Sequence, residues 1–384
     1  MSEKHSKHVA VIGSTGYLGI QTLEVISRYS DQFVVEALSA KKNAKLLAEQ
    51  ALKFNPNVVV IADNSEYNWL KDQLFDHGIK VYCGEPAIAD VVQIEDIDVV
   101  LNAQLGVSGI EVSLKTVEAG KDLALANRES LVIAGELLTK TAQIHRANIL
   151  PLGLGHSAIL QSLAGEYQNK IARLYLTHPR LEENTPHEQL LKSVEKQTIR
   201  EQSQVVNEAT FFRNGFELIE AKWLYGVEPQ RVDFLHHPEN VCHGMVKFVD
   251  GSVKTVMSSR DIGLPIQFAL SFPTRLAPES SGFSFEDQLI LSFDKTNIKK
   301  EKSVKLCEAA LESGGLAPCI LNASNDIAVE AFLNSRMSLS EIPNFVEECL
   351  EQIDKNPKQN IGDYLSFDFE TRKRVSELLK SKAY

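Results

Sequence analysis

The apolar run at 8–13, HVAVIG, passes directly into Gly13-Ser14-Thr15-Gly16-Tyr17-Leu18-Gly19, and a helical pattern follows. Strand, glycine turn and helix in that order suit one chemistry. Glycines permit a tight turn and close backbone approach, and the helix N-terminus presents free amides to a pyrophosphate. The rival reading is an αβ turn with incidental glycines; the placement within about 30 residues of the first Met favours a dinucleotide. Gly13, Ser14, Thr15, Gly16, Tyr17 and Leu18 are therefore candidate cofactor-binding residues. The next strand ends Leu38-Ser39-Ala40-Lys41-Lys42-Asn43. An acidic residue there would grip ribose hydroxyls, but Glu36 lies mid-strand, too early to reach. Ser39, Lys41 and Lys42 suit a 2′-phosphate, which needs cationic donors. NADPH is thus favoured over NADH; the alternative is a solvated lysine pair.

These residues need a parallel sheet behind them. Tyr17 to Ser30 carries apolar positions at helical spacing. Phe33–Ser39, Val58–Ala62, Ile97–Asn102 and Asp122–Ala126 read as strands, with a helix at Ala44–Phe54 and another ending near Gly120. Strands alternating with helices predict an α/β, Rossmann-type, doubly wound parallel sheet over 1–150. From about Asn148 the pattern changes. Arg173–Thr177, Arg231–His236, Gly244–Val249 and Ser252–Met257 read as strands, the last two joined at Asp250-Gly251, a hairpin signal. An α+β central domain is expected over 151–290. Helical patterns at 302–314, 325–334, 338–354 and 369–382 predict a C-terminal helical domain over 291–384. The polar stretch 180–203 reads as a mobile loop over a site.

Composition narrows the partners. With 384 residues the chain is long enough for two or three domains. Its net charge of −11 speaks against a nucleic-acid or anionic-membrane partner. No apolar stretch reaches the roughly 18 residues of a membrane helix. No signal peptide is read at the polar N-terminus. Cys83, Cys242, Cys307, Cys319 and Cys349 are scattered without metal-binding spacing, which fits reduced thiols in a cytoplasmic protein. His236, His237 and His243 likewise lack paired spacing.

From Gly13–Gly19 and Gln21-Thr22-Leu23 onward, the chain resembles the 1-deoxy-D-xylulose 5-phosphate reductoisomerase family. Further matching stretches are Ala126-Asn127-Arg128-Glu129-Ser130-Leu131-Val132 and His156-Ser157-Ala158-Ile159. Gly215-Phe216-Glu217, His237-Pro238, Asp250-Gly251-Ser252-Val253 and Leu321-Asn322-Ala323-Ser324-Asn325-Asp326 continue the likeness over nearly the whole chain. The resemblance implies an NADPH-binding N-terminal domain, a central catalytic domain with a dimer interface, and a helical C-terminal domain. It implies isomerisation of a ketose phosphate through a metal-bound α-hydroxyketone, then reduction by NADPH to 2-C-methyl-D-erythritol 4-phosphate. It also places Asn43, Asn127 and Glu129 in the cofactor site and suggests a homodimer.

The likeness breaks at the chemistry. Where the family's metal motif reads Asp-Ser-Glu-His, this chain has Gly153-Leu154-Gly155-His156. Of three ligand carboxylates only Glu217 survives, and one carboxylate does not hold Mg²⁺ or Mn²⁺ tightly. The phosphate-binding loop reads Thr177-His178-Pro179-Arg180-Leu181-Glu182-Glu183, the serine expected near 208 is Glu208, the Asn-Lys pair is Arg213-Asn214, and the motif lysine is Arg128. Arg213, Asn214, Arg180 and Arg200 are candidate substrate contacts, since arginine can grip a phosphate or carboxylate bidentately.

His156, Arg128 and Glu217 are the candidate catalytic residues. His156 reads either as acid or base for a carbonyl or as a capping or core histidine. Arg128 would anchor an anion or polarise a carbonyl. Glu217 would orient substrate or pair with Arg213, four residues back on one helix face. The expectation is an NADPH-dependent oxidoreductase acting on a small polar or phosphorylated substrate, with no metal required. Its rivals are the reductoisomerase reaction with relocated ligands, drawn from Glu208, Glu182 or Glu183, and a non-catalytic NADPH-binding sensor.

Overall fold

The computed structural model describes residues 6–166, 168–179, 199–277, 283–284, 286, 290–354 and 361–381. Among them, seven strands form one sheet: β1 (Lys7–Ile12), β2 (Phe33–Ala40), β3 (Val58–Ile61), β4 (Lys80–Cys83), β5 (Val99–Asn102), β6 (Asp122–Leu125) and β7 (Ile149–Pro151). Their order is β4-β3-β2-β1-β5-β6-β7 and every pairing is parallel. The central strands are buried on both faces, as Val9, Ala10, Val11 and Ile12 are, which is why they read as unbroken apolar runs. The winding direction reverses between β1 and β5. A crevice opens beyond the strand ends at such a switch point. The turns after β1 and β5 meet there: a Cβ on Gly13, at φ +83°, would sit 3.1 Å from the Ala103 carbonyl oxygen.

The second sheet holds β8 (Ile171–His178), β9 (Val232–His236), β10 (Cys242–Phe248), β11 (Val253–Met257) and β12 (Asp294–Lys295), ordered β11-β10-β8-β9-β12. β8 and β9 run parallel; the other pairings are antiparallel. The Asp250-Gly251 turn joins β10 to β11, with Gly251 at φ +91° and the Asp250 carboxylate accepting from the Ser252 amide at 2.9 Å. The helix Leu154–Leu163 lies on this sheet so closely that a Cβ on Gly244 would come 2.4 Å from the Gly155 carbonyl oxygen.

The C-terminal helices Lys302–Ser313, Ala317–Leu333, Ile342–Gln352 and Ile361–Ser381 share one apolar core with both sheets' helices. Phe212 and Phe216 of the Phe212–Tyr225 helix meet Ile320, Phe332 and Phe345 there, together with Ile110, Leu131 and Leu138 of the first domain. The chain also returns. Helix Gly263–Ser271 leaves the second sheet and lays Ile266, Ala269 and Leu270 into the core of Val9, Leu23 and Ile26. Lys7 Nζ donates to the Phe272 carbonyl at 2.6 Å, and Tyr29 Oη to that of Ala277 at 2.8 Å.

The α/β architecture and helical C-terminal region agree with expectation; some elements differ. β4, at the sheet's edge, has no fully buried residue and so no apolar run, β7 has only three residues, and helix Ala317–Leu333 begins eight residues before the expected 325 because Pro318 sits in its first turn, where it needs no amide partner. Residues 180–198 of the expected loop lie outside the described residues. From Ile199 to Ala209 the chain is helical.

Candidate active site

The glycine turn is held from beneath. The Gly13 amide donates to Ser39 Oγ at 3.1 Å and the Ser14 amide to the Ser39 carbonyl at 2.8 Å. Ser14 Oγ donates to Gln50 Oε1 at 2.7 Å, and Gln50 Nε2 returns to the Ser14 carbonyl at 2.9 Å. Ser14 and Ser39 are buried and spent on this scaffold. Gly16 begins the helix Tyr17–Arg28 with no side chain capping it and no acidic residue in its first turn. Its amides stay available to an anion. Leu18 is buried, Thr15 half-buried and Tyr17 exposed. Lys41, Lys42 and Asn43 stand exposed beyond β2, where Asn43 Oδ1 also caps the next helix through the Leu46 amide at 3.2 Å. Asn127 is buried beyond β6. Its Nδ2 donates to the carbonyls of Gln104 (2.8 Å) and Gly106 (2.9 Å) and to Glu129 Oε2 (3.1 Å), while its Oδ1 accepts from the Ser130 amide. It ties the loop after β5 to the loop after β6 at the crevice.

Arg128 points elsewhere. Its guanidinium lies 4.1 Å over the Phe216 ring, donates to Asn322 Oδ1 at 3.1 Å, and sits 3.5 Å from Glu129 Oε1 and 3.8 Å from Asp326 Oδ1. Asp326 is in turn held by Arg372 at 2.8 Å. Arg128 therefore joins all three parts of the chain. Arg128→Ala should cost about 1–2 kcal/mol, since it removes the cation–π contact with Phe216 and the hydrogen bond to Asn322, while Asp326 keeps Arg372 and Glu129 keeps Asn127. Urea unfolding checks this; an unchanged midpoint would show the junction to be slack.

A second concavity, a cavity of about 310 Å³, lies where helix Leu154–Leu163, β8, β10 and the helices Ile199–Ala209 and Phe212–Tyr225 converge; its lining includes His178, Glu208, Arg213, Asn214, Glu217 and His243. Glu217 is the hub. Its Oε1 accepts from Arg213 Nε at 3.3 Å and its Oε2 lies 3.4 Å from His178 Nε2. Arg213 also pairs with Glu208, and His178 Nε2 meets Asn214 Nδ2 at 2.8 Å. Burial opposes ionisation of Glu217, but the charges of His178, Arg213 and His156 outweigh it and hold the carboxyl at about 2. A depressed carboxylate contributes stability that is present above its unfolded value of about 4.3 and is lost as pH falls toward 2. The stability gap between wild type and Glu217→Gln should accordingly be widest above pH 4.5 and close between 4.5 and 2. A gap unchanged down to pH 2, in urea titrations at stepped pH, would contradict this.

The structure thus brings Glu217, Arg213 and Asn214 together. Arg180 lies outside the described residues, as does the Arg200 side chain. His156 does not line the cavity. It is buried behind it, with Nε2 3.3 Å from Glu220 Oε2, and its backbone carbonyl accepts from Tyr225 Oη at 2.6 Å. His178, His243, Asn240 and Arg260 line the cavity and were not among the expected contacts. His178 ends β8 and His243 lies near the start of its partner β10, so only the antiparallel register reveals their convergence.

Of the three carboxylates by which the resemblance would hold a metal, Glu217 alone is present, and Gly153 and Gly155 stand at the other two positions. A Cβ on Gly153 meets nothing within 4 Å, but one on Gly155 would lie 2.7 Å from Leu176 Cδ2 and 3.1 Å from the His243 carbonyl. Leu176 fills the space a carboxylate at 155 would need. Among the described residues no cluster of three or more His, Cys, Asp or Glu is placed to hold a metal ion. No helix among them is long and apolar enough to cross a membrane.

A parallel sheet with a glycine turn at its switch point, followed in the chain by a second sheet with a cavity of carboxylate, imidazole and guanidinium groups, is the build of an oxidoreductase of the Rossmann class. The family model for 1-deoxy-D-xylulose 5-phosphate reductoisomerase matches residues 9–135, and that for the DXP reductoisomerase C-terminal domain matches 257–374. The chain belongs to the 1-deoxy-D-xylulose 5-phosphate reductoisomerase family. It is 37% identical to the enzyme of that name from Bacteroides fragilis, covering 99% of this chain and 100% of that one. It is 38% identical to that of Porphyromonas gingivalis, covering 98% and 99%. The solved reductoisomerase from Zymomonas mobilis in complex with NADPH superposes with a TM-score of 0.90 at 30% identity, over 98% of this chain and 100% of that one. A reductoisomerase solved with fosmidomycin and magnesium gives 0.87 at 29%, over 97% and 98%.

Proposed function

We propose that this chain is an NADPH-dependent oxidoreductase that interconverts a carbonyl and an alcohol on a small polar or phosphorylated substrate, without a resident divalent cation. One contrast carries the reading. The dinucleotide turn is intact, whereas Leu176 is packed against Gly155 where the likeness calls for a ligand carboxylate.

The first-turn amides of Tyr17 and Leu18 bind the pyrophosphate, Lys41 and Lys42 the 2′-phosphate, and the loops pinned by Asn127 border the nicotinamide side. Bound NADPH supplies a hydride. In the cavity, His178 is the imidazole beside ionised Glu217, and Asn214 Nδ2 fixes the ring by donating to its Nε2. Glu217 keeps its charge across the neutral range and steadies Arg213. Water exclusion falls to the apolar wall of Leu154, Leu176 and Val205. A homodimer in the cytoplasm is part of this reading.

A second reading is the reductoisomerase reaction itself, with ligands recruited from elsewhere. The whole-length likeness to enzymes of that name favours it. The test follows NADPH absorbance with 1-deoxy-D-xylulose 5-phosphate, first with Mn²⁺ or Mg²⁺ and then with chelator. Metal-dependent oxidation overturns the first reading and establishes the second. No oxidation by protein that binds NADPH keeps the first, and a carbonyl-substrate screen then separates it from a sensor that binds without turnover.

A further inference from the structure

The cavity carries two cationic side chains among its described lining residues, Arg213 and Arg260, and they stand in different states. Arg213 is committed: Glu208 and Glu217 both pair with it. Arg260 is exposed at the loop after β11 and forms no ion pair or hydrogen bond among the described residues. Beside it lies His243, only 4% exposed, whose Nε2 is buried without a hydrogen-bond partner. Burial disfavours the charged form of this ring, while the backbone of Ser259 and Ser258 accepts from it, and both His237 and Arg260 repel a second positive charge. A buried imidazole nitrogen left unpaired costs free energy unless a ligand meets it. The cavity's two carboxylates, Glu208 and Glu217, are already paired with Arg213 and His178, which leaves Arg260 as the guanidinium of the lining open to an anionic group.

We propose that Arg260 and His243 form the oxyanion-binding subsite of the cavity, so that the substrate is a small carbonyl or alcohol compound bearing a phosphate or carboxylate. This rests on the oxidoreductase reading above and names the substrate class for it. A guanidinium can clasp either oxyanion through two parallel N–H donors. The unpaired His243 Nε2, an acceptor on the neutral ring, meets the protonated oxygen of a phosphate monoanion or a substrate hydroxyl next to a carboxylate. Neither the glycine turn nor the Arg213 cluster is needed for the grip, which makes the assignment separable.

The experiment titrates inorganic phosphate, and in a second arm oxamate, into the full chain saturated with NADPH, with ³¹P line width and NADPH fluorescence as readouts. Wild type should bind one of the probes, and the arm that binds tells phosphate from carboxylate. Arg260→Gln should weaken that probe at least tenfold, Arg260→Lys should recover part of the loss, and Arg213→Gln should change it less than about threefold. Unchanged affinity in Arg260→Gln, a larger loss in Arg213→Gln, or no binding of either probe to wild type overturns the assignment. NADPH fluorescence keeps the two readings apart. No NADPH binding alongside a tenfold Arg260→Gln effect sinks the cofactor reading and spares the subsite.

Discussion

Gly19→Ala should weaken NADPH binding at least a hundredfold, about 3 kcal/mol. A Cβ at this position would lie 2.3 Å from the Gly13 carbonyl oxygen and 2.5 Å from Ser14 Cα. Both obstacles are backbone, so no side chain can swing aside. The turn itself must move, and with it the hydrogen bonds from Gly13 and Ser14 to Ser39. Gly16 is the contrast. There a Cβ would stand 3.4 Å from the Gly13 carbonyl oxygen, ordinary contact, so Gly16→Ala should cost less than tenfold. Fluorescence titration of the two variants reads the difference. Wild-type affinity in Gly19→Ala would mean that the cofactor does not sit on this turn.

The second large effect concerns metal. Gly155→Glu alone should destabilise by about 1–3 kcal/mol through overpacking against Leu176. Gly153→Asp should be tolerated, because nothing lies within 4 Å of its Cβ. Combining both with Leu176→Ala opens the space and adds two carboxylates, the one at 155 on the cavity that Glu217 also lines. The triple variant should bind Mn²⁺ at least tenfold more tightly than wild type, read as loss of the free-ion electron paramagnetic resonance signal. Its fold should be weaker by about 2–5 kcal/mol for the lost leucine. Stoichiometric Mn²⁺ binding by wild type would sink the reading of a metal-free site.

How much of this is legible in the sequence depends on how local the physics is. The glycine turn was legible because strand, turn and helix are contiguous and glycine has no substitute at Gly19. The Arg213–Glu217 pair was legible because a helix sets residues four apart on one face. The β10–β11 hairpin followed from Asp250-Gly251. What failed to show was always set by pairing between distant segments. Arg128 read as a site residue from its neighbours Asn127 and Glu129, yet its guanidinium is taken by Asn322 and Phe216, far along the chain. His156 read as an acid or base, yet its ring turns to Glu220 behind the cavity. His178 and His243 carried no signal beyond their type, since only strand register brings them to one cavity. That Leu176 fills the space beside Gly155 was invisible because glycine in a sequence does not say what presses on it.

The return of helix Gly263–Ser271 to the first sheet has a consequence for synthesis on the ribosome. Gly263 lies 112 residues after Pro151, the last residue of that sheet. At about 5–20 residues per second, the nascent Rossmann domain waits several seconds with the seat of Ile266, Ala269 and Leu270 uncovered. Such a surface is what holdase chaperones recognise. A chain arrested before residue 263 should therefore engage them and be cut by added protease, whereas one released beyond residue 277 should not.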